Sequence, residues 1–251
     1  MLRNEQGVPG RGGRSPPPTC PKVFPYPPPR GILTGMLTQS LRSRVYLLVS
    51  PGGDKEALGQ VLRAAVGAQA GLVCVDLRDR CRRDALDTLV SLLRLSRPAR
   101  VPMLVSGAVD LALAAGAEGV HLDASDLPVA IARRLLGPAA IIGATTQSPQ
   151  DAVIAQTDGA TFVMVDRVYE NGSRAPGALV GADGLARVRA VCSLPICACG
   201  GITPERVGEV VAQGAELIGL RADAGAQSPA DVAASIRSLA AAFPPLPHVA
   251  P

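Results

Sequence analysis

From Val45 onward the chain alternates between two kinds of segment and sustains the alternation to about residue 242. Short runs rich in Val and Ile lie at 45–49, 72–76, 102–105, 119–122, 140–143, 161–165, 195–199 and 216–220. Each is followed by a segment in which Ala, Leu and Arg recur at helical spacing, roughly 54–69, 82–95, 108–115, 127–136, 148–157, 183–192, 204–213 and 228–242. The short runs are apolar throughout and do not alternate with polar residues. Strands apolar on both faces need cover on both, as in a parallel sheet sandwiched by helices. Eight such units predict an α/β single-domain TIM barrel, (β/α)8. The competing doubly wound open sheet would carry a glycine-rich turn after its first strand, and SPGGD at 50–54 is a poor version of one.

The barrel is expected to fill residues 41–243, with a short tail at 244–251. Nine prolines fall within the first 35 residues, which have almost no aliphatic periodicity. Residues 1–40 therefore read as a disordered Pro-rich extension, with Met36 as an alternative start of translation. No apolar run approaches the ~20 residues of a spanning helix, so no membrane partner is expected. The net charge of +4 divides unevenly. Residues 1–44 hold seven basic residues and one acid, leaving the barrel slightly acidic. That distribution gives no footprint for nucleic acid.

Of 25 Lys and Arg residues only Lys22 and Lys55 are lysine, and neither falls in a predicted strand. Schiff-base chemistry thus lacks its buried amine. Two histidines, His121 and His248, exclude a zinc site built on several. Cys74, Cys197 and Cys199 sit in apolar runs and read as small hydrophobes, although the Cys-x-Cys spacing places two thiols on one strand face. No secretory segment is visible, and a reduced cytoplasmic setting is expected.

In a barrel of this kind chemistry gathers where strands end. After the seventh strand, CACGGITPERV places Gly200 and Gly201 before Thr203, a natural N-cap, and Pro204, a natural first helical residue. Unpaired N–H groups there favour an anion, so the pair is a candidate phosphate site, against a tight turn that merely needs glycine. In VDLRDR, Arg78 and Arg80 lie two apart; an extended backbone would aim both at one diphosphate, unless Asp76 and Asp79 neutralise them. His121 reads more readily as a packed, hydrogen-bonded histidine than as a catalyst. Asp126 is either a metal ligand or the N-cap of the next helix.

These segments also resemble a family. VDLRDR, SGAVDLALAAGAEGVHLDASDLP, IIGATT and LPICACGGIT are similar to thiamine phosphate synthase and its TenI-like thiazole tautomerase relatives, over about residues 45–222. The resemblance implies an enzyme that acts on phosphorylated small molecules. It would join a hydroxymethylpyrimidine diphosphate to a thiazole phosphate and release pyrophosphate with the help of magnesium. It implies a dissociative mechanism: diphosphate leaves, a pyrimidine cation forms and the thiazole nitrogen attacks it.

By position, the resemblance assigns catalytic roles to Arg78, Arg80 and Thr145, the last replacing a serine. It assigns phosphate binding to Gly200, Gly201, Ser173 and Arg174, and a magnesium carboxylate to Asp126. The chain departs from the pattern at several places. Asp76 stands for an amide, and Ser106-Gly107 for an Asn-Asp pair, so Gly107 removes one expected metal carboxylate. Asp123-Ala124 replace Gly-Gln, Asp166-Arg167 replace a glycine and a proline, and Ala222 replaces a serine beside Arg221. Asp123 or Asp166 is the expected substitute for the missing carboxylate, and Gly107→Asp is expected to raise a magnesium-dependent rate. The lack of histidine at 145 argues against tautomerase activity. The alternatives are a non-catalytic paralogue that binds a phosphorylated ligand as sensor or carrier, and another phosphate-binding TIM-barrel enzyme.

Overall fold

The computed structural model of the chain describes residues 41, 43–50, 54–170 and 180–244. Eight parallel strands follow in chain order: β1 (Val45–Ser50), β2 (Leu72–Val75), β3 (Met103–Ser106), β4 (Gly119–Leu122), β5 (Ile141–Thr146), β6 (Phe162–Val165), β7 (Ile196–Cys199) and β8 (Leu217–Asp223). Each pairs with the next, and β1 pairs with β8 from Val45↔Ile218 to Ser50↔Asp223, closing the barrel. The outer layer among the described residues is α1 (Lys55–Gly67), α2 (Arg82–Ser96), α3 (Val109–Ala115), α4 (Val129–Leu136), α5 (Pro149–Thr157), α6 (Gly181–Arg189), α7 (Val207–Ala212) and α8 (Pro229–Ala241). The expected TIM barrel is therefore the fold. Among the described residues no helix is long and apolar enough to cross a membrane.

Two apolar layers hold it. The larger lies between strands and helices, where outward residues such as Leu47, Val73, Val105 and Ile142 meet Leu58, Leu89 and Ile236. The smaller fills the barrel with Tyr46, Leu72, Leu104, Phe162, Met164 and Leu217, together with Cys74, Cys197 and Cys199. Tyr46 and Phe162 meet edge to face with centroids 5.4 Å apart, and His121 lies 5.7 Å from Tyr46. Gly143 makes room for them, because a Cβ there would strike the Phe162 ring and come within 2.7 Å of His121 Nδ1. An aromatic lining thus depends on a missing side chain in the neighbouring strand.

The helix starts follow from local chemistry. Asp54, Ser148 and Ser228 accept hydrogen bonds from Ala57, Asp151 and Asp231 N–H groups, and Pro149 and Pro229 open their helices. At the opposite end of the barrel from the strand termini, buried Arg133 of α4 ties loops together. It donates to the carbonyls of Gly159, Gly137, Pro138 and Ala140 and to Thr161 Oγ1.

Three differences from expectation concern the barrel mouth. β5 and β8 run past their apolar stretches to Thr146 and Asp223, because parallel pairing continues through polar residues, among them Arg221, which lines the cleft. The helix expected over 204–213 starts as a 3-10 turn, Pro204–Arg206, before α7. Pro128, not Asp126, occupies the position before α4, and no side chain caps that helix.

Candidate active site

The C-terminal ends of β1, β2, β3, β4 and β8 surround a cleft lined by Ser50, Asp76, Arg78, Ser106, His121, Asp123 and Arg221. Arg78 is one of its two arginines. Its Nε and Nη2 donate to Asp76 Oδ1 at 3.1 Å and Oδ2 at 2.7 Å, a bidentate pair. Its Nη2 is 4.0 Å from Asp123 Oδ2, and its Nη1 is 3.9 Å from Asp126 Oδ1. Burial would raise the Asp76 carboxyl, but the Arg78 hydrogen bonds outweigh it and hold that group below its ordinary value. One guanidinium thus serves three carboxylates.

The second arginine of VDLRDR goes elsewhere. Leu77 to Arg80 form a tight turn closed by Arg80 N–H donating to Leu77 O, so the two side chains diverge. Arg80 pairs with Asp84 on α2 at 2.9 Å and does not line the cleft. The parallel pair expected from an extended backbone does not form, because the strand ends at Val75.

Two strands from β2 around the mouth, beyond β1, Arg221 of β8 donates to Asp166 Oδ2 at 2.8 Å. The other Asp166 oxygen accepts from Arg167 N–H at 2.9 Å. Arg221 stands beside Ala222, where the resemblance expects a serine, and supplies a cation to the cleft. Beneath it, burial pushes the Cys199 thiol up to about 12 and raises Cys197 as well. Both thiols are buried in the apolar layer inside the barrel, and Cys199 also meets Asp166 and Arg221.

Thr145 is held from two sides. Its hydroxyl donates to Asp123 Oδ1 at 2.6 Å, and His121 Nε2 lies 2.9 Å from Thr145 Oγ1. His121 is 2 % exposed, and burial drives its ring down to about 4, so it is neutral at physiological pH. The packed, hydrogen-bonded reading of His121 matches this environment. The Asp123–Thr145 contact went unread in the sequence. Strand register would have found it: His121 pairs with Gly143 and Leu122 with Ala144, which brings Asp123 level with Thr145.

Gly200 and Gly201 have φ of +97° and +61°. A Cβ on Gly200 would lie 2.8 Å from Arg167 Cα, and one on Gly201 would lie 2.5 Å from Glu170 O. The turn therefore needs glycine for its conformation and for the close approach of the loop after β6. Thr203 makes no capping bond to the 3-10 turn that follows. Ser173 and Arg174 lie outside the described residues.

The magnesium site expected at Asp126 is not assembled. Asp126 Oδ2 accepts from Asp123 N–H at 2.8 Å, its other oxygen faces Arg78, and position 107 offers no carboxylate. Neither Asp123 nor Asp166 supplies the missing ligand: one is taken by Thr145, the other by Arg221. Among the described residues no three His, Cys, Asp or Glu side chains group closely enough for one ion. The Asp carboxylates are spread around a guanidinium instead, and this donor set does not fit a compact octahedral cation.

Residues 45–223 match the family model described as thiamine monophosphate synthase. The chain belongs to this family. Over 181 residues it is 38 % identical to a protein named thiamine-phosphate synthase from Methanoculleus marisnigri, spanning 70 % of this chain and 84 % of that one. It is 33 % identical over 198 residues to the protein of that name from Moorella thermoacetica, spanning 78 % and 92 %. Among solved structures it is similar to thiamine phosphate pyrophosphorylase from Pyrococcus furiosus, with a TM-score of 0.69, 25 % identity and coverage of 82 % and 96 %. The thiamine monophosphate synthase match thus runs from the first residue of β1 to the last of β8.

Proposed function

We propose that the chain is a thiamine phosphate synthase of thiamine biosynthesis. It would join hydroxymethylpyrimidine diphosphate to thiazole phosphate and release pyrophosphate. The observation that carries this reading is the placement of Arg78 and Arg221 in one cleft at the C-terminal mouth of a barrel of this family. Breaking the bond between the pyrimidine methylene and the diphosphate oxygen leaves negative charge on the departing group. Guanidinium groups aimed at that charge stabilise it without acting as bases. The thiazole nitrogen then closes the new C–N bond with its own electron pair, so the step needs no proton acceptor.

In this reading Thr145 faces the pyrimidine, while Gly200, Gly201, Ser173 and Arg174 take the thiazole phosphate. Arg80 orders the β2 turn that carries Arg78. Magnesium is a co-reactant only if the Asp126 region rearranges. The activity is assigned to the barrel at residues 41–243, in a cytoplasmic setting that agrees with the free thiols of the five described cysteines.

One observation favours the non-catalytic alternative. Both cleft arginines are already paired, Arg78 with Asp76 and Arg221 with Asp166, so a diphosphate competes with a carboxylate at each guanidinium. The test is to incubate the purified chain with both substrates and magnesium and look for thiamine phosphate. Product formation supports the synthase. Tight binding of the phosphorylated ligands without turnover supports the carrier or sensor. Rescue of a thiamine auxotroph is a second, independent check.

A further inference from the structure

The hydrogen-bond directions around Thr145 are determined by counting protons. A threonine hydroxyl has one proton to give and two lone pairs to offer, whereas an ionised carboxylate only accepts. At 2.6 Å from Asp123 Oδ1, the Thr145 proton lies on that bond, which is short and charge-assisted. His121 Nε2, 2.9 Å from Thr145 Oγ1, must then be the donor, because two bare acceptors would repel. The ring therefore carries its proton on Nε2, and Nδ1 is the bare nitrogen. Nδ1 has no hydrogen-bond partner and faces the space left by Gly143, as that assignment requires.

Thr145 thus donates its one hydrogen bond to Asp123 and accepts one from His121. One lone pair remains, on a half-buried residue near the C-terminal end of β5, next to Asp123 and His121 of the cleft lining. Such an oxygen repels a phosphate oxygen and receives an N–H group. We propose that Asp123 is a positioning residue that turns Thr145 into a hydrogen-bond acceptor for the exocyclic amino group of the pyrimidine. The diphosphate is thereby left to Arg78. This rests on the synthase reading and extends it to substrate orientation. Asp123 stands where the resemblance expects a glycine, which has no side chain to take the proton. The same carboxylate lies 4.0 Å from Arg78, so its removal has a second, opposite consequence: it frees the guanidinium for an anion.

The test uses the full chain, Asp123→Ala and Asp123→Asn. Binding of the aminopyrimidine alcohol and of inorganic pyrophosphate is measured separately by calorimetry, and the ring nitrogens of His121 are observed by 15N NMR. The proposal expects a neutral Nε2–H ring in the parent. It expects Asp123→Ala to weaken the aminopyrimidine by ~10-fold, to leave pyrophosphate binding equal or tighter, and to lose the fixed ring form. Asp123→Asn retains an accepting oxygen and recovers most of the aminopyrimidine affinity and the ring signature. Equal weakening of both compounds by Asp123→Ala, or a parent ring protonated on Nδ1, overturns the role of Asp123. A parent chain that binds neither compound brings down the synthase reading, and the selectivity with it, while the ring signature still reports whether Asp123 orients Thr145.

Discussion

Gly107 and Asp126 contend for one volume: a Cβ at position 107 would stand 2.6 Å from Asp126 Oδ1. Gly107 also has φ of +64°, a region that side-chain-bearing residues adopt with strain. The loss of the carboxylate expected at 107 and the inward position of Asp126 are therefore one structural change. The sequence alone suggested that Gly107→Asp would restore a metal ligand. The structure reverses that expectation. The substitution would force Asp126 outward and set two carboxylates against each other. Gly107→Asp is expected to lower stability by about 1–3 kcal/mol and to leave any magnesium-dependent rate no higher. Urea unfolding and turnover of the same preparation check both halves.

The Asp76–Arg78 pair makes a second prediction with opposite signs at its two ends. Arg78→Ala removes one of the two cleft arginines and should weaken inorganic pyrophosphate by ~10- to 100-fold. Asp76→Asn removes the carboxylate that occupies the guanidinium and should tighten the same ligand. Calorimetry at fixed salt reads both, since exposed charges are screened. Weakening by Asp76→Asn would mean that the carboxylate orients Arg78 toward the anion instead of competing with it.

What could be read from the sequence divides along physical lines. All eight strands and the order of the barrel followed from apolar runs, because burial on both faces leaves an unmistakable pattern in residues such as LVCV and FVMV. The polar extensions of β5 and β8 did not, since Thr145 and Arg221 belong to strands by backbone pairing and carry no apolar signature. Arg78 was found as a candidate, but its separation from Arg80 required knowing that the chain turns at Leu77. Asp123 was named only as a substitute metal ligand. Its contact with Thr145 arises from the register between two strands about 20 residues apart, which no local spacing encodes.

Arg133 gives a prediction remote from the cleft. Its buried guanidinium satisfies four backbone carbonyls and the Thr161 hydroxyl. Arg133→Met removes every one of those donors while keeping an aliphatic stem. The expected loss is about 3–5 kcal/mol in urea unfolding, with ligand affinities unchanged for the fraction that remains folded. Arg133→Lys should fall between, because one ammonium cannot reach both Gly159 and Ala140. A change in pyrophosphate affinity without loss of stability would contradict a purely structural role.

His121 predicts how stability depends on pH. Burial is the main cause of its lowered value and Arg221 adds to it, while Asp123 and Asp166 pull the other way; the result is about 4 against an ordinary 6.5. The unfolded chain therefore takes up a proton between pH 6.5 and 4 that the folded chain refuses. Stability due to the neutral, buried ring is fully present above about 6.5 and declines as pH falls toward 4, below which this group contributes no further change. The decline amounts to about 3 kcal/mol. Burial raises the Asp158 and Glu216 carboxyls as well, and their contribution to the pH dependence is common to parent and variant. The variant His121→Gln isolates the histidine: its amide N–H still donates to Thr145, but it cannot titrate. The gap in unfolding free energy between parent and His121→Gln should shift against the parent by about 3 kcal/mol from pH 7 to pH 4. Parallel pH profiles for the two proteins would show that the ring titrates as it does in water, and that it is not held neutral by its place beneath Thr145.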